Sequence, residues 1–440
     1  MFTVRNATLA DGRTRDVRVD PAAGAIDAVG EDLDAETGIE AAGKLLLPGM
    51  IDAHVHFREP GAPQKETWAT GSASAAAGGV TTVLDQPNTS PPTVTGEAFR
   101  EKRTLASGAS LVDFGIDGGV TPDWDPDSLF AEPLAALGEI FLADSTGEMG
   151  IGEAQFRDAV ARATEEDVPV TVHAEDATAF EEDALPEAGL EGGDADASAW
   201  SAYRPAAAEI AAAELACEVA ADTDAQVHLA HTSTPEAAEL ADEAGLTCEA
   251  TPHHLFLSTD DARDLGTYGR MNPPLRSPGR RDGLLEKLAD GVVDIVATDH
   301  APHTRAEKET TLTEAPSGVP GVETALPLLL ATAAEGELSY ERVRDVTARN
   351  PAEIFGLDSK GRVEAGYDAD LVLVEPGDGS EISGGALHSK CEWTPFEGWT
   401  GVFPEWTMVR GNVVYAEDDA GLPENLAPDG EFGPRAGELV

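Results

Sequence analysis

The chain has 440 residues, of which 41% are hydrophobic, enough for one large barrel with an appended piece or for about two or three domains, each with a real core. Asp and Glu number 82 against 29 Lys and Arg, and the resulting net charge of −53 is spread along the whole length; such a surface excludes a nucleic-acid or anionic-membrane partner, and the apolar content excludes a disordered acidic chain. No apolar run reaches about 18 residues, so no membrane-spanning helix is expected, and Cys217, Cys248 and Cys391 lie too far apart for a disulfide framework or a metal site.

The acid excess predicts a folded protein adapted to multimolar salt. At about 1 M ionic strength the Debye length is only about 3 Å, so self-repulsion is screened, and low salt should destabilise the fold.

In chain order, residues 1–47 read as short strands and turns. Residues 2–9 alternate, Asp11-Gly12 marks a turn, and residues 17–20 alternate again. The first residues read as a strand and not as an export leader, so a cytoplasmic protein is expected. From Pro48 a strand–loop–helix pattern repeats. Apolar strand candidates fall at 45–56, 80–86, 111–115, 139–143, 168–173, 226–231, 246–251 and 292–298, with Ala- and Glu-rich helical segments such as 206–221 and 235–243 between them. This predicts an α/β chain whose residues 48–351 form a (β/α)8 TIM-like barrel. An open doubly wound sheet is the alternative, but no Gly-x-Gly-x-x-Gly follows the first strand. Beyond Asn350-Pro351 the alternation stops. Strand-like stretches at 361–374 and 409–415 echo the N-terminus, so residues 1–47 and 352–417 are expected to join in a small β-sandwich built from both chain ends. Residues 418–440, rich in Gly, Pro and acids, are expected to be a loose acidic tail.

The polar residues fall where the strands end. His54 and His56 leave the first strand on one face, because residues i and i+2 of a strand point the same way, and two imidazoles side by side suit one metal ion. Arg58 continues that parity and offers a charged fork to a carboxylate. Asn88 follows the second strand. Glu139 opens the fourth, Asp144 lies just past its end, His173 closes the fifth, His231 the sixth and Asp299 the eighth. In a barrel these ends converge on one mouth, and four His with one or two carboxylates suit two divalent ions such as zinc. His228 and His388 are expected to be satisfied structural residues. The Gly/Pro-rich stretch 315–321 reads as a mobile loop over the mouth.

The segment Pro48-Gly49-Met50-Ile51-Asp52-Ala53-His54-Val55-His56-Phe57-Arg58-Glu59-Pro60-Gly61 resembles the opening signature of the cyclic amidohydrolases, and of the dihydroorotase family among them. So do Pro87-Asn88-Thr89, Met271-Asn272-Pro273-Pro274-Leu275-Arg276, Ala297-Thr298-Asp299-His300-Ala301-Pro302-His303 and Gly318-Val319-Pro320-Gly321-Val322-Glu323. The resemblance implies two zinc ions, one held by His54, His56 and Asp299 and the other by His173 and His231. It implies Arg58, Asn88 and His303 on the substrate carboxylate, and Asn272 with the Pro320-Gly321 backbone on a pyrimidine ring. The implied reaction is the reversible cyclisation of N-carbamoyl-L-aspartate to dihydroorotate in pyrimidine biosynthesis. A zinc-held hydroxide attacks the ring amide, and Asp299 serves as general base and then acid. A small molecule is then the expected partner, and a homo-oligomer is allowed.

The chain departs from the pattern at one place. Many relatives bridge the metals with a carboxylated lysine on the fourth strand, but residues 138–144 contain no Lys. Glu139 stands at that position, and Asp144 is the alternative bridge. A Glu is shorter than a lysine carbamate and spans two metals only if the strand or the ions shift inward; a site with neither carboxylate and a single metal is the third option. Rival readings are an allantoinase, a dihydropyrimidinase or hydantoinase, and a metal-free scaffold that binds a pathway enzyme. Arg58, Asn88 and His303 favour a carboxylate-bearing substrate, and the intact His set counts against the scaffold.

Overall fold

The protein is described by a computed structural model covering residues 1–35, 37–144, 149–185, 195–418 and 420–440. The first apolar stretch, expected as one strand over 45–56, is two. β5 (Leu45–Pro48) belongs to an antiparallel sheet and β6 (Met50–Val55) to the barrel. The break falls at Gly49, where a Cβ would sit 2.1 Å from Thr81 Cγ2, so only glycine lets the chain cross from one sheet to the other.

The barrel strands after β6 are β7 (Val80–Asp85), β8 (Asp113–Ile116), β9 (Leu137–Phe141), β10 (Val170–His173), β11 (Val227–Leu229), β12 (Thr247–Ala250) and β13 (Ile295–Val296). Every pairing from β6 to β8 and from β9 to β13 is parallel. Single parallel bridges, Gly118 to Leu137 and Val55 to His300, join the two runs into a closed ring. Nearly every residue of these strands is buried, which explains why they read as continuous apolar runs and not as alternations. Helices cover the outside. That at Pro235–Ala244 shows how the sequence places them: Thr234 caps its first turn by accepting from Ala237 N–H, Pro235 opens it, and Gly245 at φ +73° ends it.

Both chain ends do join beside the barrel. β1 (Phe2–Leu9), β2 (Thr14–Asp20), β3 (Ala25–Gly30) and β4 (Thr37–Glu40) combine with β5 and with β14 (Leu371–Glu381), β15 (Thr400–Val409) and β16 (Asn412–Ala416) in one hydrogen-bonded sheet. The sheet folds over a core that includes Phe2, Val19, Leu371, Trp406 and Met408. Its two edges meet, since a Cβ on Gly411 in the β15–β16 turn would lie 3.0 Å from Pro21 beyond β2.

The terminal segment is not the loose tail its composition suggests. Phe114 N–H donates to Glu438, Val440 N–H to Phe114, and Gly433 N–H to Val414, so strand edges at β8 and β16 take it up. Arg410 anchors it through Ala436 O. Backbone pairing at exposed edges supplies the order that side-chain composition does not.

Candidate active site

The C-terminal ends of the barrel strands converge as expected. His54 and His56 at the end of β6 lie in a group with Glu139, and Glu139 lies in a second group with His173 and His231; within each, the ligand-type atoms are within 4.8 Å of one another. Glu139 is common to both. Its Oε1 is 2.6 Å from His231 Nε2 and 2.9 Å from His173 Nδ1, and its Oε2 is 3.4 Å from His54 Nε2. Asp299 completes the first group, with Oδ1 2.9 Å from His56 Nε2 and 3.7 Å from His54 Nε2. Asp144 is elsewhere: it is exposed, and its Oδ1 accepts from Gly150 N–H at 2.7 Å. Beside Glu139, Gly138 at φ +155° packs so closely on β10 that an added Cβ would lie 2.0 Å from Thr171 Oγ1, an approach closed to any larger residue.

The donor set fits a metal. His54 Nε2 is buried, faces Glu139 and has no hydrogen-bond partner. A buried, partnerless imidazole nitrogen beside carboxylates is what a ligand awaiting a cation presents. The electrostatics agree. Burial alone would raise the Glu139 carboxyl, but the charges of His231 and His54 and the bonds from His173 and His231 hold it well below the usual range. Burial opposes charging His173, yet its bonds to Glu139 and Glu175 lift it to about 9. The same carboxylates that favour a proton on His54 and His173 favour a divalent cation in its place.

A pocket above this cluster is lined by His56, Arg58, Asn88, Asn272, Asp299 and Ser317, among others. Arg58 is buried at φ +63°. Its guanidinium meets only Pro302 O at 3.3 Å and His303 Nε2 at 3.2 Å, with no ion pair among the described residues. Asn88 Oδ1 lies 2.6 Å from His56 Nδ1, which leaves His56 Nε2 facing Asp299. Asn272 Oδ1 accepts from Trp200 Nε1 at 2.8 Å. His303 stands behind Arg58, its Nε2 2.9 Å from Ser317 O. The Pro320-Gly321 backbone is not on the pocket wall. Gly321 N–H donates to His300 Nδ1, and its carbonyl accepts from Thr324 and Ala325, so Ser317 and Gly318 form that wall instead. The stretch expected as a mobile loop is tied down: Gly318 N–H donates to Arg270 O, Ala301 N–H to Val319 O, and Lys308 Nζ to Pro316 O.

Sequence reading missed the residues that hold the imidazoles. Glu249 Oε1 takes His54 Nδ1 at 2.7 Å and His231 N–H at 3.0 Å, while its Oε2 is 3.3 Å from His228, which is therefore a satisfied core residue. Glu175 Oε2 pairs with His173 Nε2 at 3.0 Å and with Arg204. The signal was present in Thr247-Cys248-Glu249-Ala250, where one acid interrupts a buried strand. His388 is also satisfied, by Glu323 and Glu431.

Barrel, mouth and paired His–carboxylate groups define a metal-dependent hydrolase of the amidohydrolase type, and the chain belongs to the Amidohydrolase family, which residues 45–414 match. Within it, the chain is 64% identical over 419 residues to the dihydroorotase of Halobacterium salinarum, covering 95% of this chain and 97% of the relative. It is 44% identical over 412 residues to the dihydroorotase of Methanosarcina mazei, covering 90% of each. An Escherichia coli allantoinase is more distant, at 31% identity over 98% of this chain and 97% of the relative. Among solved structures, the L-hydantoinase (dihydropyrimidinase) of Arthrobacter aurescens superposes with a TM-score of 0.89 at 28% identity, covering 100% and 99% of the two chains. Among the described residues no helix is long and apolar enough to cross a membrane.

Proposed function

We propose that the chain is a dihydroorotase that uses two zinc ions, with Glu139 as the carboxylate shared between them, and catalyses the reversible cyclisation of N-carbamoyl-L-aspartate to (S)-dihydroorotate and water. His54, His56 and Asp299 would hold one ion and His173 and His231 the other. Bound there, the ions supply Lewis-acid polarisation of the ring carbonyl and a lowered pKa for the attacking water. The observation that carries the assignment is Arg58, a buried guanidinium on the pocket wall without a carboxylate of its own. It supports a substrate that carries a carboxylate on its ring, which dihydroorotate has and hydantoin and dihydrouracil lack.

Asp299 does the proton work. Burial raises its carboxyl, but the His56 bond and the surrounding imidazoles bring it below the ordinary range, so it is ionised near neutrality and able to accept a proton from the attacking water. It returns that proton to the departing ring nitrogen. Arg58 fixes the carboxylate, and Asn272, on the same pocket wall, orients the ring. Asn88 holds His56 in the tautomer that directs Nε2 inward. The same reading has the enzyme working in the cytoplasm.

The test is a substrate panel run on one preparation: dihydroorotate, allantoin, hydantoin and dihydrouracil. Turnover confined to dihydroorotate is expected. Comparable turnover of the rings without a carboxylate would overturn the assignment.

A further inference from the structure

The lost lysine leaves a geometric problem that the barrel interior answers. A Glu carboxylate is shared between two metal positions only if the backbone that carries it is held inward and at a fixed distance from the histidines across the barrel. Gln86, immediately after β7, touches both sides of that gap. Its side-chain Oε1 accepts from Glu139 N–H at 2.8 Å. Its Nε2 donates to Ala53 O at 3.2 Å and to Asp117 Oδ2 at 2.9 Å. Its own N–H donates to Val55 O at 2.9 Å, and its C=O accepts from Lys102 Nζ at 2.6 Å. Ala53 and Val55 are the two neighbours of His54. One buried residue thus clasps His54 from both sides along β6 and grips the amide of Glu139 on β9.

The clasp is rigid for a physical reason. Gln86 is 1% exposed, and every polar group it has is used. It cannot turn without leaving several buried groups unpaired, each at a real desolvation cost. Lys102, which holds its carbonyl, is itself fully buried and paired with Asp85 at 2.5 Å.

We infer that Gln86 is the positioning residue that sets Glu139 against His54 and so allows a glutamate to serve as the shared metal carboxylate. The inference rests on the two-metal reading above. Gln86 touches neither substrate nor metal, and acts through the backbone of Glu139.

The experiment uses the full chain in high salt, loaded with Mn²⁺ as the probe and read by electron paramagnetic resonance and metal titration. Two ions that share a carboxylate give an exchange-coupled signal, and separate ions do not. The wild type is expected to bind two Mn²⁺ with the coupled signal. In Gln86→Met, which keeps the length and removes the amide, the coupled signal should vanish, and affinity for the second ion should fall about 10–100-fold. Asp117→Ala frees one arm of the Gln86 amide and leaves the Glu139 bond. It should weaken the second ion in the same direction, and it carries the test if Gln86→Met does not fold. A coupled wild type with unchanged coupling and affinity in the folded variants overturns the role of Gln86 alone. An uncoupled wild type overturns the shared carboxylate and this role with it.

Discussion

Arg58→Met separates substrate recognition from folding. The guanidinium is buried, and burial pulls its pKa down, opposed by the more distant charges of Asp299, Asp85, Glu307 and Glu66. No carboxylate lies within ion-pair distance of it among the described residues, and its one hydrogen bond to a carbonyl, Pro302 O, with His303 alongside, leaves the cation open for an anion. Two charge-assisted hydrogen bonds to a substrate carboxylate, at about 1.5 kcal/mol each, amount to about 3 kcal/mol. At about 1.4 kcal/mol per decade this is about 100-fold in affinity. The interaction is made equally with substrate and transition state, so the loss should appear in KM, with kcat changed far less. Removing an unpaired buried charge should leave the melting temperature of the free protein unchanged or raise it. Steady-state ring opening of dihydroorotate and thermal unfolding of the same samples give both numbers. An unchanged KM in a folded Arg58→Met would refute the carboxylate assignment, and a large drop in melting temperature would mean that Arg58 is structural.

Other outcomes follow from the same geometry. Asp299→Asn should lower kcat by about 10²–10⁴ while dihydroorotate still binds, and a pure KM effect would remove Asp299 from proton transfer. The hydrogen bond to Glu323 raises His388 above its ordinary pKa, with Glu431 adding to this and burial opposing it. A group whose folded pKa is raised stabilises fully below its unfolded value, about 6.5 for His, and loses that contribution as pH rises through the folded pKa. Docking of the terminal segment through Glu431 should therefore loosen on going alkaline. Hydrogen-exchange protection at Ala416 and Gly433 should fall with rising pH in the wild type and stay flat in His388→Gln; a flat wild type would remove His388 from this contact. With a net charge of −53, melting temperature should climb between about 0.2 M and about 2 M KCl, and a fall over that range would contradict the reading of the acidic surface.

Much of the architecture was legible because parallel barrel strands are buried on both faces and stand out as apolar runs closed by polar residues. That His54, His56, His173, His231 and Asp299 converge on one mouth followed from their places at strand ends, and the structure brings them together there. The crossing at Gly49 was not legible, because Leu45–Pro48 and Met50–Val55 are equally apolar and nothing local says that they serve different sheets. Nor was the ordered terminus, whose hold on Phe114 and Val414 comes from the backbone. Glu139 and Asp144 are carboxylates five residues apart, and what separates them is that Glu139 lies within β9 and is buried among the imidazoles, whereas Asp144 lies three residues past the strand, exposed. Gln86 and Glu249 escaped because their partners lie on other strands, at spacings along the chain that announce no contact, whereas Glu175 lies only two residues from His173 and, like the lone acid in 247–250, was a local signal left unread. The acid-rich composition fits a relative from Halobacterium salinarum.

The most direct test of the central claim is made on one sample, purified in multimolar salt: zinc counted per chain, and ring opening of dihydroorotate assayed beside it. Two zinc ions with turnover is the result expected of a Glu139 carboxylate shared by both His groups. One zinc with full turnover would contradict the shared site, and a folded protein with neither metal nor turnover would contradict the assignment of the enzyme itself.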